Sequence, residues 1–206
     1  DDFNVSTTAV FSIEAVLMGV YNSIAQSTTG ELSITGTAFN DTLNASSFTG
    51  FAHDANKGLT IAGGGRVDTI TGTGFNDIIT GGTGDDIITA GAGSDTITGG
   101  ADSDTFVFNS VSGADTIVDY NVADDSIQLS KAIFTGLGDI GALSSDEFVS
   151  GAGLTAAADE TDRIVYDTTS GALYYDADGA GGEAAVQIAT FTGTPDLLSS
   201  EFAIIA

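Results

Sequence analysis

Between Gly63 and Val107 the sequence repeats itself every nine residues, and this period constrains the fold more than any other feature. Gly81-Gly82-Thr83-Gly84-Asp85-Asp86-Ile87-Ile88-Thr89 is followed in register by Ala90-Gly91-Ala92-Gly93-Ser94-Asp95-Thr96-Ile97-Thr98. Gly99-Gly100-Ala101-Asp102-Ser103-Asp104-Thr105-Phe106-Val107 comes next, and upstream Gly63 to Thr71 and Gly72 to Thr80 keep the phase. The sixth position is therefore Asp68, Asp77, Asp86, Asp95 and Asp104, and the eighth is Ile70, Ile79, Ile88, Ile97 and Phe106. The phase outlasts the glycines. Gly36 to Asn44 carries Asp41 and Leu43 at those two positions, Ser27 to Thr35 places Ile34, and Ala45 to Ala62 spans two nonapeptide lengths ending on Ile61. These stretches read as further coils of one solenoid.

Each unit has a direct physical content. Its last three residues, such as Ile87-Ile88-Thr89, are β-branched and form a short strand with one side chain pointing inward. Its first six form a glycine-rich turn that exposes backbone carbonyls and one carboxylate. Two nonapeptides make one turn of a flattened spiral, so Asp68, Asp86 and Asp104 stack on one edge and Asp77 and Asp95 on the other. The expected fold is all-β: a parallel β-roll followed by a small antiparallel β domain. Calcium takes 6–8 hard oxygen ligands, so carbonyls plus Asp suit it better than zinc or copper. The candidate metal residues are those five aspartates with Gly82, Gly84, Asp85, Gly91, Gly93, Gly100, Asp102 and Asp115. A metal-free solenoid with Asp at its turns is the plainer alternative. Five consecutive Asp at one position argue against it.

These residues resemble the RTX repeat GGxGxDxUx, a calcium-binding β-roll pattern. Residues 81–89 match it in full and 90–98 depart only at Ala90, whereas Arg66, Phe75 and Asp102 stand at the fourth-position glycine. The expectation is about three to five calcium sites concentrated from Asp68 to Asp104. Stacked carboxylates repel, and ordering many glycines costs entropy. Metal binding then becomes folding free energy, so the chain is expected to be unfolded at low calcium and folded outside the cell.

Charge supports a cationic partner. Asp and Glu total 29 against four Lys and Arg, a net charge of −25, so the basic patches needed for nucleic acid or an anionic membrane surface are missing. There is no Cys, which removes disulfides, zinc thiolates and thiol catalysis. No apolar run is long enough to span a membrane.

After Val107 the pattern loosens into Ala114-Asp115-Thr116-Ile117-Val118-Asp119-Tyr120 and Asp124-Asp125-Ser126-Ile127-Gln128-Leu129. This resembles the segment that closes an RTX roll, with Ile117 and Ile127-Leu129 read as capping strands and Asp115 or Asp125 as completing a last site or as plain turn residues. Arg163 to Asp167, Ala172 to Asp176 and Ala184 to Phe191 read as three antiparallel strands, and Asp176-x-Asp178-Gly179 as a hairpin turn. The block from Asp162 to Phe202 looks like type I secretion target domains. That resemblance implies a C-terminal signal in Glu201-Phe202-Ala203-Ile204-Ile205-Ala206, recognised by an ABC exporter complex, and a secreted or cell-surface protein of Gram-negative type. The domain reading is 1–26 as a cap or assembly strand, with Phe11, Ile13, Ala15 and Leu17 alternating, 27–107 as the roll (63–107 well formed), and 108–206 as capping strands and secretion domain.

No catalytic constellation is found. The single His is His53, and no G-x-S-x-G, H-E-x-x-H or Walker loop occurs. Two functional classes remain. One is an extracellular structural protein whose identical subunits assemble under calcium into a surface layer or filament. The other is the C-terminal folding and export module of a larger secreted enzyme, toxin or adhesin.

Overall fold

The computed structural model describes residues 23–26, 32–48 and 56–206. His53 and the alternating segment Phe11 to Leu17 lie outside them. Among the described residues the chain is built from short strands and two single-turn 3-10 segments.

Two sheets form the roll. The first contains β1 (Ser23–Gln26), β2 (Leu32–Thr35), β4 (Lys57–Gly65), β6 (Asn76–Thr83), β8 (Thr96–Ala101) and β10 (Asp115–Ile117). The second contains β3 (Thr42–Asn44), β5 (Thr69–Thr71), β7 (Ile87–Thr89), β9 (Thr105–Phe108) and β11 (Ser126–Ser130). The chain crosses between the sheets at every turn, so neighbours in each sheet are parallel from β2 and from β3 onward. β1 is the exception and adds antiparallel to β2, with Ile24 opposite Ile34.

The eighth-position residues form two apolar columns. Ile34, Ile61, Ile79, Ile97 and Ile117 pair in sequence in one sheet, and Leu43, Ile70, Ile88, Phe106 and Ile127 in the other. All ten are buried. A parallel ladder keeps equivalent residues in line, so a strict sequence period becomes a stack of identical side chains.

Two features depart from the sequence reading. The first turn is longer than the rest: Ile34 pairs with Ile61 and Leu43 with Ile70, 27 residues apart instead of 18. Residues 45–48 form no strand; Ala45 and Phe48 turn into the core, and Phe48 meets Phe75 edge to face at 5.8 Å. Because 27 is also a multiple of nine, the phase survives the insertion. Second, Ile117 and Ile127 are not caps over an open edge. They form the next coil, and the sheets continue beyond it.

That continuation comes from the C-terminal strands. β13 (Phe148–Gly151), β14 (Ile164–Asp167), β15 (Ala172–Tyr175) and β16 (Val186–Phe191) extend the first sheet, with β16 parallel to β10 and the 14–15–16 set antiparallel. β12 (Gly141–Ala142) and β17 (Phe202–Ile205) extend the second, with β17 parallel to β11. Phe191 and Phe202 thus stand at the ends of the two columns, opposite Ile117 and Ile127.

Candidate metal centre

The turns stack along the two edges of the roll, and their sixth-position aspartates form two ladders. Oδ1 of each carboxylate accepts the backbone N–H of the corresponding residue one coil earlier. On one edge Asp41 donates to Asp68 (2.7 Å), Asp68 to Asp86 (2.8 Å), Asp86 to Asp104 (3.0 Å) and Asp104 to Asp125 (2.9 Å). On the other, Leu59 donates to Asp77 (2.6 Å), Asp77 to Asp95 (2.7 Å) and Asp95 to Asp115 (3.0 Å). The aspartates are thereby withdrawn from water, with Asp68 and Asp86 both at 0% exposure.

Their second oxygens are the informative ones. Oδ2 of Asp68, Asp86, Asp95 and Asp104 is buried with no hydrogen-bond partner. An orphaned carboxylate oxygen in a protein interior costs free energy unless a cation or donor meets it. Burial pushes the Asp68 carboxyl up to about 6 and that of Asp104 to about 7, and it raises Asp86 as well, with neighbouring carboxylates adding to the rise. Asp95 and Asp115, which face each other, are both raised, chiefly by burial. Every one of these shifts disfavours the charged form in the absence of a cation.

The surrounding backbone fits a hard cation. A Cβ added at Gly63 would meet Asp68 Oδ2 and the Gly81 carbonyl oxygen, each at 2.5 Å; Gly81 lines the equivalent space beside Asp86, and at Gly99 the neighbours are the Asp104 carboxyl and the Phe106 ring. At the second and fourth positions the backbone is left-handed: Gly82 at φ 127°, Gly84 at 110°, Gly91 at 107°, Gly93 at 127° and Gly100 at 117°. Arg66 and Asp102 adopt the same region at 71° and 79°, so the departures from glycine at these two turns leave the loop shape intact. No cluster of three or more His, Cys, Asp or Glu side chains is found among the described residues. A cation between these turns would therefore draw mainly on carbonyl oxygens with few carboxylates, the donor set of calcium rather than of zinc.

Some of the expected residues make further contacts between turns. Asp85 accepts the N–H of Ser103 at 3.0 Å and Asp102 that of Gly84 at 3.1 Å, so both side chains tie one turn to the next. Asp77 lies in the ladder, yet its Oδ2 is already occupied by Thr73. Asp119 was not among the expected residues. Its two oxygens accept the N–H groups of Gly99 and Gly100, fastening the last glycine turn to the following coil. The spacing from Asp104 to Asp119 breaks the nine-residue period, so periodicity alone gives no signal for it. In the hairpin turn, Asp178 accepts from Gly182 and Glu183.

Residues 62–97 and 80–110 match the family described as RTX calcium-binding nonapeptide repeat (4 copies). No curated protein matches the chain. Among solved structures the chain is similar to the solution structure of the AlgE6R3 subunit from the Azotobacter vinelandii mannuronan C5-epimerase. The two are 21% identical over 70% of this chain and 77% of that one, with a TM-score of 0.45. The central nonapeptides are thus RTX repeats, a repeat type that binds calcium ions.

Proposed function

Starting from those repeats, we propose that this chain is an extracellular structural protein whose roll folds around calcium and whose folded subunits assemble into a surface layer or filament. The observation that carries the calcium-driven folding is the set of four buried, unpartnered Oδ2 atoms on the two edges, with carbonyl oxygens beside those of Asp68 and Asp86. Held between adjacent turns, calcium would neutralise carboxylates that otherwise repel, and Asp68, Asp86, Asp95 and Asp104 would each supply the orphaned oxygen. The net charge of −25 keeps the metal-free chain expanded, and millimolar calcium outside a cell is the usual working range of extracellular modules, about 10⁻⁴–10⁻³ M.

Export by a type I ABC exporter belongs to the same reading. The segment Glu201–Ala206, which resembles such a signal, folds into the second sheet with Phe202 and Ile204 buried. A receptor would have access to those side chains only before the chain folds, which low intracellular calcium would ensure. No catalytic role is assigned.

A second reading draws on the way β16 and β17 grow directly on the roll's last coil. Such a junction suits a C-terminal folding and export module of a larger secreted enzyme, toxin or adhesin. Electron microscopy of the purified chain in millimolar calcium and in chelator decides between them. An ordered sheet or fibre that appears only with calcium supports the structural role, and discrete particles in both conditions transfer the reading to the module. Far-UV circular dichroism that ignores both calcium and chelator would overturn calcium-driven folding itself.

A further inference from the structure

Among the described residues, three turns of the roll satisfy their own aspartate. In Gly36-Thr37-Ala38-Phe39-Asn40-Asp41 the Thr37 N–H donates to Asp41 Oδ2 at 2.6 Å and its hydroxyl donates to the same oxygen at 2.8 Å. Gly72-Thr73-Gly74-Phe75-Asn76-Asp77 repeats the arrangement, with the Thr73 N–H at 2.6 Å and its hydroxyl at 3.0 Å from Asp77 Oδ2. In both, the threonine hydroxyl also accepts the N–H of the phenylalanine two residues on, at 3.2 and 3.0 Å. At the far end of Asp41's edge, the Asn121 N–H donates to Asp125 Oδ2 at 2.9 Å, again from four residues before.

In the two threonine turns the cause starts at the second position. Where the second position is Gly64, Gly82, Gly91 or Gly100, φ lies between 107° and 127° and the aspartate four residues later keeps an orphaned Oδ2. Threonine is β-branched and avoids that left-handed region. Neither Thr37 nor Thr73 takes a positive φ, nor do Phe39 and Phe75 at the fourth position. With the turn in this other conformation, the second-position N–H meets the carboxylate instead of leaving it free.

We propose that the second-position residue decides which turns of this roll take a calcium ion, and that the Thr37, Thr73 and Asn121 turns are locked without one. The inference rests on the calcium reading above and divides its sites. At Asp41, Asp77 and Asp125 the Oδ2 atom is already taken by a backbone N–H, joined by a hydroxyl at Asp41 and Asp77, so calcium is confined to the turns ending in Asp68, Asp86, Asp95 and Asp104. Asp77, one of the five aspartates of the repeat, drops out of the ligand set.

Calcium stoichiometry of the full chain by native mass spectrometry tests this. Opening the lock with Thr73→Gly and Phe75→Gly together is expected to add one calcium per chain, whereas an unchanged count overturns the proposal. Asp77→Asn provides an independent arm that keeps the fold's glycines untouched. It is expected to leave the count at the wild-type value while Asp95→Asn lowers it; a loss of one ion in Asp77→Asn overturns the lock. Wild-type protein that binds no calcium at all would instead remove the underlying reading.

Discussion

A coil of the roll and the strands between Ile164 and Ile205 belong to the same two sheets, yet they are held by different physics. In the roll, each nonapeptide contributes one inward aliphatic side chain, such as Ile79 or Ile88, worth about 1.5–3 kcal/mol when fully buried. That is little to set against ordering a glycine-rich turn. The C-terminal strands bury aromatic rings against one another instead. Phe134 meets Tyr175 at 5.0 Å, Phe148 meets Phe202 at 5.4 Å and Tyr166 meets Phe191 at 6.3 Å. Their core is closed by side chains, whereas that of the roll waits on its turns. On the proposed calcium-driven folding, the difference teaches where a cation is structural: where repetition has thinned the core to a single column per sheet.

The largest expected effect is therefore calcium removal. In chelator, amides of Ile70, Ile79, Ile88 and Ile97 should lose hydrogen-exchange protection by at least about 10³-fold, the span between local and global opening. Amides of Val165, Leu173 and Ile188 should change by less than about tenfold. Equal losses in both regions would break the comparison and make the sheets one cooperative unit.

Next in size is a cavity at the junction. Phe191 is buried between Tyr120, at 5.3 Å, and Tyr166. Phe191→Ala should cost about 3–5 kcal/mol in urea unfolding followed by tyrosine fluorescence. The cost should persist in chelator, because it resides on the side-chain-held part; a cost seen only with calcium would place the ring in the roll's folding unit.

How much of this was legible follows the same line. The column residues Ile70 to Phe106 and the two aspartate ladders can be read from the nine-residue period, because parallel stacking converts period into geometry. The lock was also within reach: Thr37 and Thr73 stand where the other turns have glycine, but a repeat pattern scores them as substitutions and not as donors. Arg66 misleads in the opposite sense, since a bulky residue holds φ 71° and preserves the turn. What periodicity does not encode is pairing at irregular distance. Ile34 with Ile61, and Ile117 with Phe191, are set by how far the intervening chain travels, and no local rule measures that.

Acidity gives a smaller effect with a definite sign. Folding raises the carboxyls of Asp68 to about 6 and of Asp104 and Asp115 to about 7, against an unfolded value near 4. A raised folded value means that the folded roll binds protons more readily than the unfolded chain. Its contribution is complete below about pH 4 and is lost as pH rises through about 6 to 7. In chelator, circular dichroism should thus report more β-structure at pH 5 than at pH 8. With calcium the order should reverse, because metal and proton compete for the same oxygens. A metal-free roll that becomes more ordered as pH rises would contradict the burial of these groups.

The smallest expected effect lies where the two regions touch. The Tyr120 hydroxyl reaches the Asp125 carbonyl at 3.2 Å and Glu201 Oε2 at 3.3 Å, and its ring lies 5.8 Å from Phe106 in the roll. It thus bridges the last turn of the ladder and the segment leading into β17. Tyr120→Phe keeps the ring and deletes the bridge, for about 0.5–1.5 kcal/mol in chemical unfolding. If the regions are held separately, the variant should raise the calcium midpoint of roll folding by less than about threefold. A tenfold shift, about 1.4 kcal/mol, would mean that the aromatic block templates the roll through this one hydroxyl, and the two kinds of core would then have to be treated as a single folding unit.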